Sequence, residues 1–83
     1  MTIKVRFFAM LKTKAGKEEV NLTVSENISL AQLKDMLKKE FPVLAEFIDS
    51  KSIMISVNQE FAVKNTIIKG GDEVALLPPF SGG

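Results

Sequence analysis

No cysteine occurs among the 83 residues, so neither a disulfide framework nor a thiolate-bound zinc can staple this chain, and a packed apolar core must hold it. A chain of this length forms one small domain that buries roughly 60% of its unfolded surface, which leaves little interior for a ligand cavity. From Ile3 to Ala9, Ile3, Val5 and Phe7 alternate with Lys4, Arg6 and Phe8, the period of a half-buried strand. Phe8 is the exception on its face, an aromatic ring where polar side chains are expected.

Met10 to Gly16 holds three polar or charged residues and ends in glycine, which predicts a hairpin loop into a second strand over Glu18 to Val24, where Val20, Leu22 and Val24 alternate with Asn21 and Thr23. Ser29 and Gln32 have the spacing of a capping box, with Ile28 placed to staple onto Leu33. Leu30, Leu33, Leu37 and Phe41 then recur at helical spacing as a core stripe, Met36 is a gap filler, and Lys34, Lys38 and Lys39 fall on solvated positions. Pro42 should end that helix, with a short second turn over Val43 to Ile48. Ile53, Ile55 and Val57 predict a third strand, Phe61 to Val63 a short fourth, and Glu73 to Leu77 a fifth, with Val74 and Leu76 on one face and Ala75 and Leu77 on the other. Strand, strand, helix and three short strands make an α+β domain, a mixed five-strand sheet with one main helix on one face. Placing the last strand beside the first, the β-grasp arrangement, is a common solution of this order. The expected division is a domain over residues 1–77 and an extended, flexible tail over 78–83.

The composition removes most chemistries. Without histidine, cysteine, tyrosine or tryptophan the chain offers no imidazole base, no thiolate nucleophile and no imidazole or thiolate metal ligand, so no metal site of those kinds is expected. Lysine and arginine exceed aspartate and glutamate by one (11 against 10), which gives no electrostatic argument for nucleic acid or an anionic membrane. Lys12, Lys14 and Lys17 read as a solvated basic loop. No apolar window approaches the ~18 residues of a membrane span, and the first residues lack a signal-peptide pattern. The expectation is a soluble protein of the reducing cytoplasm. Gly70-Gly71 lies between short strands and lacks the spacing and following helix of a phosphate loop; it reads as turn geometry.

Two features are left. If the first and last strands are neighbours, Phe8 and Leu77 come together on the face away from the core, with Ala75 beside them and Phe61 at the edge, an apolar patch of the kind that marks a partner site. The second is Pro78-Pro79-Phe80-Ser81-Gly82-Gly83. The prolines cannot donate ladder hydrogen bonds and favour an extended exit, six extended residues reach about 20 Å, and the glycines at Gly82 and Gly83 are thin enough to thread a narrow tunnel. A carboxylate on such an arm becomes a reactive carbonyl once activated.

In these residues the chain resembles the MoaD/ThiS-like sulfur carriers, and within them the small subunits of molybdopterin synthase. The likeness runs through Lys4-Val5-Arg6-Phe7-Phe8-Ala9, Val57-Asn58-Gln59, Gly71-Asp72-Glu73-Val74-Ala75 and the Pro78-Pro79-Phe80-Ser81-Gly82-Gly83 ending. The chain departs from the family in having Leu76-Leu77 where paired aromatics are frequent, and Lys14 where an aliphatic residue is frequent.

The resemblance implies a mechanism. An ATP-dependent, E1-like activating enzyme would adenylate the Gly83 carboxylate, and a persulfide sulfur donor would displace AMP to leave a thiocarboxylate. The tail, from Pro78 through Pro79, Phe80, Ser81 and Gly82, would then enter the large subunit of the synthase, expected as a heterotetramer, and deliver sulfur to cyclic pyranopterin monophosphate. Phe8, Phe61 and Leu77 match apolar contact positions used with both partners. ATP and magnesium would belong to the activating enzyme, with no cofactor on the carrier itself. The catalytic groups would then lie on the large subunit, with this chain as its non-catalytic sulfur-donor subunit. The alternatives are a carrier for thiazole synthesis and a ubiquitin-like modifier conjugated through Gly83.

Overall fold

The computed structural model describes residues 1–50 and 53–78. In chain order the elements are β1 (Thr2–Phe7), α1 (Met10–Ala15), β2 (Glu19–Thr23), β3 (Ile28–Ser29), α2 (Leu30–Glu40), a 3-10 turn (Pro42–Leu44), α3 (Ala45–Asp49), β4 (Met54–Val57), β5 (Glu60–Phe61), β6 (Ile67–Ile68) and β7 (Glu73–Leu77). One five-stranded sheet runs in the order β2-β1-β7-β4-β5, and β3 pairs with β6 in a separate two-stranded ladder.

The alternation in β1 is realised in the structure, with Ile3, Val5 and Phe7 essentially inaccessible. β1 pairs antiparallel with β2, Val5 opposite Val20, and parallel with β7, Val5 opposite Val74 and Phe7 opposite Leu76. β4 lies antiparallel on the far side of β7, Ile55 opposite Leu76 and Val57 opposite Val74. These registers put the buried apolar residues of the central strands on one face, because a slip of one residue would turn the whole set to solvent. Against that face pack Leu30, Leu33 and Leu37 of α2, and Leu11, Phe41, Leu44, Ile48 and Ile68 are buried with them. Phe41 meets Phe7 edge-to-face at 5.1 Å between ring centroids, a favourable arrangement of their quadrupoles.

Local chemistry starts and stops α2 as its sequence predicts. The Ser29 hydroxyl accepts from the Gln32 backbone N–H at 3.1 Å, and the Gln32 side chain accepts from the Ser29 N–H at 2.8 Å, a complete capping box. At the other end Pro42 opens the 3-10 turn. Lys38 is more than a solvated side chain: it bonds Asp49 at 2.7 Å and so ties α2 to α3.

The segment expected as a hairpin loop is instead α1. Leu11 is almost wholly buried, and a helical turn is what carries it to the core while Lys12, Thr13 and Lys14 stay exposed. Gly16, at φ +75°, ends the helix by returning its N–H to the Lys12 carbonyl at 3.0 Å, a conformation that glycine adopts without a Cβ penalty. The third and fourth strands are shorter than the alternation suggested, beginning at Met54 and ending at Phe61.

Candidate functional site

The face of the sheet turned away from α2 is built by the register. In one row Arg6 lies opposite Ala75, Ala75 opposite Ser56, and Ser56 opposite Phe61. In the next, Leu77 lies opposite Met54, and Phe8 stands one residue beyond the Phe7 and Leu76 pair, its N–H donating to the Leu76 carbonyl at 3.2 Å. The structure therefore brings Phe8 and Leu77 side by side at the C-terminal end of β7, with Met54 across from them. Phe61 sits on the edge strand of the same face and is 66% exposed, whereas Phe8 and Leu77 are half-buried.

The face is divided along the strands. Towards the start of β7 it is charged: Lys4 lies 4.0 Å from Glu19, and Arg6 lies 3.7 Å from Glu73. These pairs are exposed enough to contribute little to stability, but they keep that end wet. Towards the end of β7 it is apolar, and there the chain leaves the sheet at Pro78. A partner that covers Phe8, Leu77, Met54 and Phe61 thus also surrounds the base of whatever follows residue 78. Pro79, Phe80, Ser81, Gly82 and Gly83 lie outside the described residues.

Sequence reasoning missed two members of this face. Met54 was legible as the residue opposite Leu77 once the pairing of the third and fifth strands is set. Arg6 was not: its guanidinium carbon lies 5.3 Å from the centroid of the Phe8 ring, a cation-π contact that depends on side-chain direction rather than on sequence spacing. The Gly70-Gly71 turn is structural. Gly71, at φ +91°, donates to the Thr2 carbonyl at 2.7 Å, and any Cβ on Gly70 would sit 2.5 Å from that of Met1.

Among the described residues no group of three or more His, Cys, Asp and Glu side chains is placed to hold a metal ion, and no helix is long and apolar enough to cross a membrane. A groove of about 260 Å³ between α2 and β4, bordered by Leu30, Lys34 and Phe61, contains no catalytic constellation. What the outer face can do chemically is bind another apolar surface.

Strand order, a parallel pairing of first and last strands and one helix across the inner face define a ubiquitin-like β-grasp domain. A crystal structure of SAMP1 from Haloferax volcanii superposes with a TM-score of 0.87 at 29% identity, covering 100% of both chains. Subunit 1 or 2 of the molybdopterin-converting factor of Helicobacter pylori, solved as a complex of the two, matches with a TM-score of 0.70 at 28% identity over 100% of both chains. The chain is 32% identical to the molybdopterin synthase sulfur carrier subunit of Chlamydomonas reinhardtii over 85 aligned positions that span 100% of each. The sequence model of the ThiS family matches residues 5–83. The chain belongs to the ThiS family.

Proposed function

We propose that this protein is the sulfur carrier of a molybdopterin synthase: the Gly83 carboxylate is adenylated, converted to a thiocarboxylate, and delivers its sulfur within the large subunit to build the dithiolene of molybdopterin. One observation carries the reading. Phe8, Leu77 and Met54 flank the point where the chain leaves β7, with Phe61 one row back on the edge strand of the same face, so a partner that docks there takes in the residues beyond Pro78. The relatives named as sulfur carrier subunits, and the Helicobacter pylori structure of two molybdopterin-converting factor subunits together, support the same assignment.

The chemistry suits a chain with no cysteine or histidine. Adenylation turns a carboxylate, a poor electrophile, into a mixed anhydride; the sulfur of a persulfide attacks the carbonyl, AMP leaves, and reductive cleavage of the sulfur-sulfur bond by a thiol leaves the thiocarboxylate. ATP, magnesium and the catalytic side chains belong to the activating enzyme and the large subunit, in a reducing cytoplasm. Incubation with the activating enzyme, ATP and a sulfide source should raise the intact mass by about 16 Da, the exchange of one oxygen for sulfur. Deletion of Gly83 should abolish that gain without changing the melting temperature. A truncated chain that still gains sulfur would overturn the reading.

The likeness to SAMP1, small archaeal modifier protein 1, favours a second reading in which Gly83 is joined to a lysine of a target protein. Activation is the same and the acceptor differs. A lysine-linked product through Gly83, in place of a regenerated free carboxylate, is what would favour it.

A further inference from the structure

Two departures from ordinary protein chemistry converge on Phe8. Immediately after it, Ala9 has φ +52° and ψ −130°, the conformation of the second residue of a type II′ turn. The Phe8 carbonyl accepts from the Leu11 N–H, and the Ala9 carbonyl from the Lys12 N–H, both at 3.1 Å. Glycine dominates that turn position. At its other positive-φ positions the chain has glycine twice, Gly16 at +75° and Gly71 at +91°, and the polar pair Asn58 and Gln59, whereas here it carries a methyl group that crowds its own backbone. Two residues before Phe8, Arg6 spreads over the phenyl ring, and its Nε–H is buried with no acceptor. Its contact with Glu73 runs through Nη1, at 3.7 Å, and does nothing for Nε. An N–H taken from water without a new partner is a cost that the cation-π contact has to offset.

One movement relieves both. If the turn at Ala9 relaxed to a negative φ and in doing so re-aimed Phe8, the ring would leave the guanidinium and Arg6 would regain water at Nε. Strain of this kind persists only where the rest of the fold enforces it, and it gathers at clamps and switches. Here it sits at the apolar end of the outer face, beside Leu77.

We propose that Phe8 is a latch on the docking surface, held under Arg6 by the strained Ala9 turn in the free chain and released into an apolar pocket of the partner on contact. The proposal rests on the reading of the outer face as the surface offered to the large subunit. The free chain populates the released state as a minor species, and the partner selects it. Any change that stabilises the held state must therefore weaken binding by the same factor.

Ala9→Gly tests this, because glycine accepts the turn without strain. The variant should melt about 4–8 °C higher, the shift that follows when strain of this size is removed from a domain of this length, and should bind the purified large subunit roughly fivefold more weakly. In the free wild-type chain, relaxation-dispersion NMR should detect microsecond-to-millisecond exchange at the Phe8 ring and at the amides of residues 8–11, quenched in the variant. A melting temperature that does not rise, an affinity equal to or better than wild type, or a wild-type corner without exchange would each overturn the latch. If the wild-type chain itself fails to bind the large subunit, that failure belongs to the proposed function, and the exchange measured on the free chains still decides the latch.

Discussion

Asn58 and Gln59 both have positive φ, +52° and +72°, and together they turn β4 into β5 as a type I′ hairpin, whose handedness matches the twist of the strands. Asn58 has a reason to be there. Its amide donates to Asp72 at 3.0 Å and its carbonyl oxygen accepts from the Glu73 N–H at 3.0 Å, which locks the hairpin to the start of β7. Gln59 makes no such use of its side chain among the described hydrogen bonds, so its backbone strain is unrelieved. Gln59→Gly should therefore stabilise the protein by about 1 kcal/mol, the left-handed penalty less the added entropy of the unfolded glycine, seen as a higher denaturant midpoint at unchanged slope. The residue scale is also where sequence reading stopped short. That Phe8 leaves the core face follows from alternation, but Arg6 lying over its ring and the turn conformation of Ala9 are set by tertiary packing and have no spacing to announce them.

Elements were legible where they are long or capped. β1, α2 and β7 carry several turns of their period, and Ser29 and Gln32 mark the start of α2 by chemistry alone. β3 and β6 are two residues each, too short for any alternation to show, and α1 presents a single buried residue, Leu11, among lysines and threonine, so its amphipathic period never repeats. α3 is held differently. Lys38 donates to Asp49 at 2.7 Å, and that bond, reinforced by the charges of Asp49 and Asp35, raises the ammonium pKa above the ordinary lysine value. A raised folded pKa contributes stability that is fully present below the unfolded value of about 10.4 and is lost as pH rises through the folded one. Asp49→Asn should accordingly lower the melting temperature at about pH 8, and the difference from wild type should shrink as the pH rises through the raised folded pKa and Lys38 loses its proton. A difference that persists unchanged at the alkaline end would assign the effect to helix termination instead.

The whole molecule is a thin sandwich with one face committed to stability and the other free. Ile3, Val5, Phe7, Val74 and Leu76 fill the inner side, and on the outer side Phe61 is open to solvent while Leu77 and Phe8 are half-buried, Phe8 beneath Arg6. Phe61 separates the two roles most cleanly because it is the most exposed of the candidate residues. Phe61→Ala should change stability by about 0.5 kcal/mol or less while costing about 2 kcal/mol in affinity for the large subunit if it is a docking anchor, a contrast that calorimetric titration and thermal melts resolve together. The central claim is that sulfur rides on Gly83 and is handed over within the synthase. Its most direct measurement starts from the thiocarboxylated chain, mixed with the large subunit and cyclic pyranopterin monophosphate in a single turnover and followed by intact mass. The expected result is loss of about 16 Da from the chain, a free Gly83 carboxylate and one dithiolene product for every two chains that give up their sulfur. A chain that keeps its sulfur, or that ends joined through Gly83 to a lysine with no dithiolene formed, would contradict it.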